Sequence, residues 1–417
     1  MTTSANWAGN YTYRARGLRE PRSIEELQET VAASSSLTAL GSRHSFNDIA
    51  DSETEQVSLR ALPAEFTVDA AERTATVAAG ARYGEFVQRL HDDGWAIHNL
   101  ASLPHISVAG AIATGTHGSG DANGSLSTAV AALELVTANG TLLTVRREEA
   151  DFDGLVVALG ALGIVTRVTL DIQPTFLVRQ DVFLDLPWRE LRDHFDEITS
   201  SGYSVSLFTD WGGFGATQVW VKSRIDDLHP AATAPALFGA RRAPVQLHPL
   251  PGESGETTTE QLGLPGAWWD RLAHFKLEFT PSAGAELQSE YLVPREHALE
   301  AIEAVRALAP RISSHLFVSE LRTMAADSLW LSPASGRETV GIHFTWRQHE
   351  EVAGLLPVIE AALAPFAARP HWGKLFTTDA TALASLYPRL PAFRELADRL
   401  DPDGVFRNDY LRRTVLP

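Results

Sequence analysis

Two segments dense in Gly, Ser, Thr and His constrain this chain more than any other feature. The first, Gly41-Ser42-Arg43-His44-Ser45-Phe46, follows the short apolar run Leu37-Thr38-Ala39-Leu40. The second runs from His105 to Gly120 and carries Ser107, Gly110, Thr114, Gly115, Thr116, His117 and Gly118. A strand that breaks into such a loop offers bare backbone N–H groups and hydroxyls to an anionic diphosphate and allows it to approach closely. Either loop alone is also what ordinary chain reversal looks like. The pair, with histidines inside both, points to an anion-binding unit in the first part of the chain.

At 417 residues the chain is long for one core, so two domains are expected. A formal charge of -17 argues against nucleic acid or an anionic membrane as partner, since both would repel it. No run of apolar residues is long enough to span a bilayer and no basic-then-apolar leader is visible, so a cytoplasmic protein is expected. The chain has no cysteine, which removes disulfides, thiolate metal sites and cysteine nucleophiles; no metal site is expected. Neither a Walker loop nor a full Gly-x-Gly-x-x-Gly fingerprint occurs, which argues against a nicotinamide partner. Only three lysines are present, Lys222, Lys276 and Lys374. Lys222 and Lys276 read as ordinary surface residues whose stems lie along the protein.

Short β-rich runs at 37–40, 56–59, 66–68 and 74–77 alternate with helical patterns at 23–33 and 83–93, the signature of an α+β unit. Residues 132–145 read as two strands around an Asn139-Gly140 hairpin turn. After about Thr175 the composition shifts toward Trp, Phe and Pro, with long strand-like runs at 205–209, 218–222, 285–293, 315–322 and 339–346. The Ala-, Pro- and Gly-rich stretch 231–255 reads as a surface loop. The expected organisation is therefore a first domain over 1–174, a second over 175–375 built on an antiparallel sheet, and a last segment, 376–417.

Residues at i and i+2 of a strand share a face. Three of the later runs carry a polar pair at that spacing: Gln288 with Glu290, Glu320 with Arg322, and His343 with Thr345. Apolar residues, including Leu287, Tyr291, Leu321, Ile342, Phe344 and Trp346, alternate with them. One such strand is a sheet wetted on one side; three together suggest the polar wall of a cavity.

The order of the Gly-Ser-x-His-Ser loop, the run Pro104-His105-Ile106-Ser107-Val108-Ala109-Gly110 and the run Ala113-Thr114-Gly115-Thr116-His117-Gly118 resembles the vanillyl-alcohol-oxidase-type FAD-binding domain. Within that superfamily the chain is most similar to the alditol oxidases, and the similarity extends from Asn6-Trp7-Ala8-Gly9-Asn10 to Asp401-Pro402-Asp403-Gly404. It rests further on residues 279–291, on His343-Phe344-Thr345-Trp346, and on His371-Trp372-Gly373-Lys374, which is shared with sugar-1,4-lactone oxidases. The resemblance implies an α+β two-domain flavoprotein whose last segment returns to the FAD-binding domain. It implies FAD held by Gly41, Ser42, Arg43, His44, Ser45, Ser107, Gly110, Thr114, Gly115, Thr116, His117, Gly118 and Val165, with a covalent bond from His44 to the flavin. The lack of cysteine leaves no second attachment.

The same resemblance implies a polyol site of Ser102, Gln288, Glu320, Arg322, His343, Thr345 and Lys374, and oxidation of a terminal hydroxymethyl group with dioxygen as acceptor. Arg322 and Lys374 would stabilise developing negative charge. His343 and Lys374 are both candidates for the base, and Glu320 is expected to orient Arg322. His105 and His117 are expected to support loop geometry, and the small Ala101 to lie where oxygen would reach the flavin. A monomer is expected. A sugar-1,4-lactone oxidase or dehydrogenase and a flavin-carrying binding protein without turnover are the alternatives.

Overall fold

The structure, a computed structural model, describes residues 5–227, 229–279 and 285–417. Part of the run at 279–291, residues 280–284, lies outside the described residues.

The first half of the chain builds a three-stranded and a five-stranded sheet, besides the short pair Trp95–Ala96 with Gln173–Pro174. The strand Glu55–Val57 lies between Gly17–Arg19 and Leu37–Ala39, parallel to both. The second sheet is antiparallel, in the order Phe66–Asp69, Thr74–Ala78, Ile164–Asp171, Val130–Val136, Leu142–Arg146. Its last two strands are joined by the Asn139-Gly140 hairpin, where Gly140 has a φ of 80°, a conformation open to glycine at little cost. Ser23 starts the helix Ile24–Ala32 by accepting a hydrogen bond from the Glu26 N–H. That helix buries Leu27 and Val31 in a core shared with Leu37, Val57, Val136 and Ile164.

Val405 and Phe406 join the same core from the far end of the chain. The Leu37 N–H donates to the Val405 carbonyl at 2.8 Å, and the Asn408 amide donates to the carbonyls of Ile49 and Asp51 at 2.9 Å each. The last segment thus packs on the first.

Between them lies a ten-stranded antiparallel sheet. Its central strands run in the order Leu177–Pro187, Gly215–Arg224, Ser204–Thr209, Leu316–Met324, Thr339–Arg347, Glu286–Pro294. One face is covered by the helices Ala298–Arg306 and Val352–Leu363, which pack on Tyr291, Ile342, Phe344 and Trp346. The alternation seen in the sequence therefore sends those apolar residues to a helix-covered core. Residues 231–255 are not only loop: Ala236–Leu237 and Ala240–Arg242 form short strands that extend the sheet beside Leu177–Pro187. Short strands of two or three residues leave too little periodicity to read in a Pro- and Gly-rich stretch. No helix among the described residues is long and apolar enough to cross a membrane.

Candidate functional site

The uncovered face of the large sheet and the Gly/Ser/Thr loops enclose a cavity of about 910 Å³. One wall is loop. Gly41, Ser42, Arg43, His44, Ser45, Ser107, Gly110, Thr114, Thr116, His117 and Val165 all line it. The two loops are tied reciprocally: the Ser107 N–H donates to Ser42 Oγ at 2.9 Å and the Ser42 N–H to Ser107 Oγ at 3.3 Å. Close packing requires glycine there, since a Cβ on Gly41 or Gly110 would come within 2.6 or 2.8 Å of Ser107 Oγ. Arg43 takes a φ of 65°, an uncommon conformation for a side-chain-bearing residue that turns the loop sharply before His44.

The His44 ring is half-buried and stacks on Trp7 with centroids 5.3 Å apart, and both of its nitrogens are buried without a hydrogen-bond partner. Burial, then His105 and Arg82, pushes its pKa down to about 4, so the ring is neutral near pH 7. An imidazole with two buried, unpaired nitrogens is costly unless another group meets it. Gly115 and Gly118 do not line the cavity. A Cβ at Gly118 would strike the Leu100 carbonyl and the Asn99 amide, and one at Gly115 would press on Pro333, so both glycines serve protein packing. His105 Nε2–H donates to the Leu277 carbonyl at 2.9 Å, in keeping with a role in loop geometry. Ala101 and Ser102 also face the cavity.

The opposite wall is sheet. Strand register places Glu290, His343 and Glu320 side by side across three strands, with Gln288 and Thr345 one pleat away on one side and Arg322 and Gly341 on the other. Glu290, buried to 1% exposure, is the hub. Its Oε1 accepts from Arg322 Nη2 at 2.6 Å and its Oε2 from Lys374 Nζ at 2.6 Å. Burial by itself would raise its pKa, but Arg322 and Lys374 outweigh burial and hold the carboxyl well below the usual range. Gly341 makes room for this hub, because a Cβ there would stand 3.0 Å from Glu290 Oε1.

Lys374 also donates to His343 Nδ1 at 2.9 Å, leaving His343 Nε2 to bond Thr345 Oγ1 at 3.0 Å. Burial and then Lys374 push His343 down to about 4, and burial lowers Lys374 against the opposing pull of Glu290. The loop walls fix Lys374 in turn: Asn47, three residues after His44, donates to the Trp372 and Lys374 carbonyls at 2.8 Å each, and the Phe46 N–H donates to the Gly373 carbonyl. Gln288 donates to Glu286 Oε1 at 2.7 Å and still lines the cavity.

One expectation is narrowed here and another corrected. Glu320 makes no hydrogen bond to Arg322: it stands at ion-pair distance, 3.7 Å from Arg322 Nε, while Glu290 takes the direct bond. Glu320 accepts from His274 Nε2 at 2.9 Å. Lys222 is not a surface residue. It is buried beneath the same wall and donates to the carbonyls of Leu272 and Ala273 and to His274 Nδ1. His117 does more than shape its loop, since its Nε2 faces Glu290 Oε1 at 3.4 Å.

Glu290 shares the face of Gln288 by simple alternation, and lysine scarcity already singled out Lys222. His274 and Asn47 carry no comparable signal, because their contacts depend on chain segments far away in sequence. His117, Glu290 and His371 cluster closely enough to suggest a cation, but Arg322 and Lys374 already occupy both oxygens of Glu290.

An FAD binding domain model matches residues 15–146, and a D-arabinono-1,4-lactone oxidase family model matches residues 285–414. The chain is 50% identical over 417 residues to an alditol oxidase of Streptomyces sp. (strain IKD472 / FERM P-14339), covering 99% of this chain and 98% of that one. It is 29% identical to an L-gulono-1,4-lactone dehydrogenase of Mycobacterium tuberculosis, over 99% of both chains. The crystal structure of cholesterol oxidase from B. sterolicum superposes with a TM-score of 0.77 over 99% of this chain and 96% of that one, at 15% identity, which shows a shared fold.

Proposed function

The chain belongs to the alditol oxidase family of FAD-dependent oxidoreductases, and on that premise we propose that it oxidises the terminal primary hydroxyl of an open-chain polyol, of the xylitol or sorbitol type, to the aldose. The observation that carries this reading is the Glu290 hub, which holds the cations of Arg322 and Lys374 at one wall of a cavity whose other wall is a loop-built anion cradle. When bound, FAD supplies the hydride acceptor and the centre at which dioxygen is reduced to hydrogen peroxide.

The loop residues suit that cofactor. Gly41, Gly110 and the Ser42–Ser107 pair leave a cradle without side-chain bulk, and the neutral, unpaired His44 is the ring we assign to covalent attachment. The sheet residues suit the substrate. Gln288, Glu320, Thr345 and Ser102 supply acceptors and donors for several hydroxyls, and a wall that leaves a hydroxyl unpaired loses about 1–3 kcal/mol per group. Such a wall also discriminates against analogues that lack the hydroxyl.

Arg322 and Lys374 stabilise the oxygen of the reacting hydroxyl as it loses its proton. As Lys374 Nζ takes that proton it passes one of its own along the 2.9 Å bond to His343 Nδ1, so Lys374 stays a cation and the ring, its Nε2–H held by Thr345, carries the charge. We place the FAD-binding domain at 1–174, the substrate domain at 175–375 and the returning segment at 376–417.

The test is anaerobic addition of xylitol to the purified protein while following flavin absorbance near about 450 nm, then admission of air. Bleaching followed by recovery with peroxide supports a polyol oxidase; bleaching without recovery in air assigns a different electron acceptor. The match of residues 285–414 to a lactone oxidase family favours one second reading, a sugar-1,4-lactone substrate. Turnover on a 1,4-lactone with none on xylitol or sorbitol would decide for it.

A further inference from the structure

Behind the cavity wall, buried polar groups continue away from the cavity in a line that the reading above does not use. Among the described residues Lys222 Nζ faces three partners: the Leu272 carbonyl at 2.6 Å, the Ala273 carbonyl at 2.9 Å and His274 Nδ1 at 3.0 Å. The other charged groups near it are Glu320 and, past His274, Arg322. On the far side of the imidazole, His274 Nε2 meets Glu320 Oε1 at 2.9 Å. Lys222 lies on the strand Gly215–Arg224, Glu320 on Leu316–Met324, and His274 in a loop between them, its ring edge-on to Phe208 and Trp220.

We propose that Lys222 is a positioning residue: it fixes the proton of His274 on Nε2 and so presents Glu320 to the cavity as an ionised acceptor for a substrate hydroxyl. The substrate half of this rests on the polyol reading.

The argument is a count of protons and lone pairs. Two of the three partners of Lys222 are carbonyls, which can only accept. Below about pH 7 Lys222 is an ammonium with three N–H groups, so the third is directed at His274 Nδ1, which must then offer its lone pair. A neutral imidazole with Nδ1 unprotonated carries its hydrogen on Nε2, where it donates to Glu320. The other tautomer would set a lone pair against the Glu320 carboxylate, or require Glu320 to hold a proton and lose its use as an acceptor. Burial and the neighbouring Lys222 lower His274 to about 4, which keeps the ring neutral and makes the choice of tautomer matter. Glu320, held below the usual carboxylate range because Arg322 and His274 outweigh burial, stays ionised.

The experiment uses the holoenzyme labelled with ¹⁵N-histidine, the His274 signals being identified by their loss in H274Q, together with steady-state kinetics on xylitol. At about pH 6, below the Lys222 value of about 7 and above the His274 value of about 4, wild type is expected to show a neutral His274 ring protonated at Nε2. K222M is expected to shift the proton toward Nδ1 and to raise KM about tenfold or more, with kcat changed far less. Gln at 274 can donate to Glu320 and accept from Lys222 with no tautomer to choose, so H274Q is expected to retain most of the affinity. K222M in the H274Q background is then expected to raise KM less than about twofold.

An unchanged His274 tautomer in K222M, or an equal KM penalty in both backgrounds, overturns the proposal. Should K222M fail to fold, H274Q and H274L carry the test: a selective KM rise in H274L supports it, and equal losses in both overturn it. Absence of turnover on xylitol by wild type overturns the polyol reading, while the tautomer spectra still decide for or against the role of Lys222.

Discussion

The two walls of the cavity are built on opposite principles. On the loop wall the lining is backbone, hydroxyls and glycine, and its most conspicuous side chain, His44, has no partner for either nitrogen. On the sheet wall nearly every charge is engaged: Lys374 and Arg322 with Glu290, His343 with Lys374 and Thr345, Glu320 with His274. Open valences suit a permanent guest that arrives once and stays. A saturated network suits a guest that comes and goes, because the wall must remain organised when each substrate leaves.

Breaking the saturated wall should have the largest effect. Lys374→Met strips Glu290 Oε2 of its cation and His343 of its donor, and is expected to slow flavin reduction by about 10²–10³-fold in anaerobic stopped flow, with substrate binding much less affected. An unchanged reduction rate would refute the role given to Lys374.

On the open wall, His44→Ala should leave flavin that separates from the protein on acid precipitation, whereas wild-type flavin is expected to stay with the polypeptide if the proposed His44 bond forms. Its reduction is expected to slow about tenfold, through loss of the electron-withdrawing attachment. Flavin that remains bound through denaturation in the alanine variant would mean another residue carries it.

Gly341→Ala sharpens the comparison, since its methyl would press on Glu290 within the saturated network and meet the loop wall only in ordinary contact with the His117 ring at 3.6 Å. A loss of about three- to tenfold in kcat/KM, with flavin content unchanged, is expected. Wild-type kinetics would show that the hub tolerates displacement.

The smallest effect concerns stability. Burial lowers Lys222 from the ordinary 10.5 to about 7, so the folded protein releases this proton before the unfolded chain does. The cost of the buried cation is felt in full below about pH 7 and is relieved as pH rises toward the unfolded value. Between pH 7 and 9 the Tm of wild type should therefore gain on that of Lys222→Met by about one to a few degrees. Parallel Tm profiles would count against a charge at this position.

Much of this was legible before any coordinates. The hairpin at Asn139-Gly140, the polar pairs at i and i+2, and the paired loops all follow from local rules, because turn chemistry and strand alternation act within a few residues. Lys374 was marked by a motif. Glu290 was visible on the right face, yet its rank as hub depends on which strands become neighbours, and alternation does not encode neighbours. Lys222 shows the limit most clearly. A lone lysine in a strand looks like surface, and only the carbonyls of Leu272 and Ala273, fifty residues away, make its burial tolerable.

The register that aligns Glu290, His343 and Glu320 also divides the site for anyone wishing to redesign it. The end of the row near Arg322 and Gly341 is the tighter one, because a methyl group at Gly341 would stand 3.0 Å from Glu290 Oε1. One pleat outward, Gln288, Thr345 and Val318 stand opposite one another across the same three strands and border the cavity without gripping the hub. Libraries that reshape chain-length preference belong at Gln288 and Val318, where a change of side chain alters the reach of the chamber, while Thr345 is kept because its hydroxyl holds His343 Nε2.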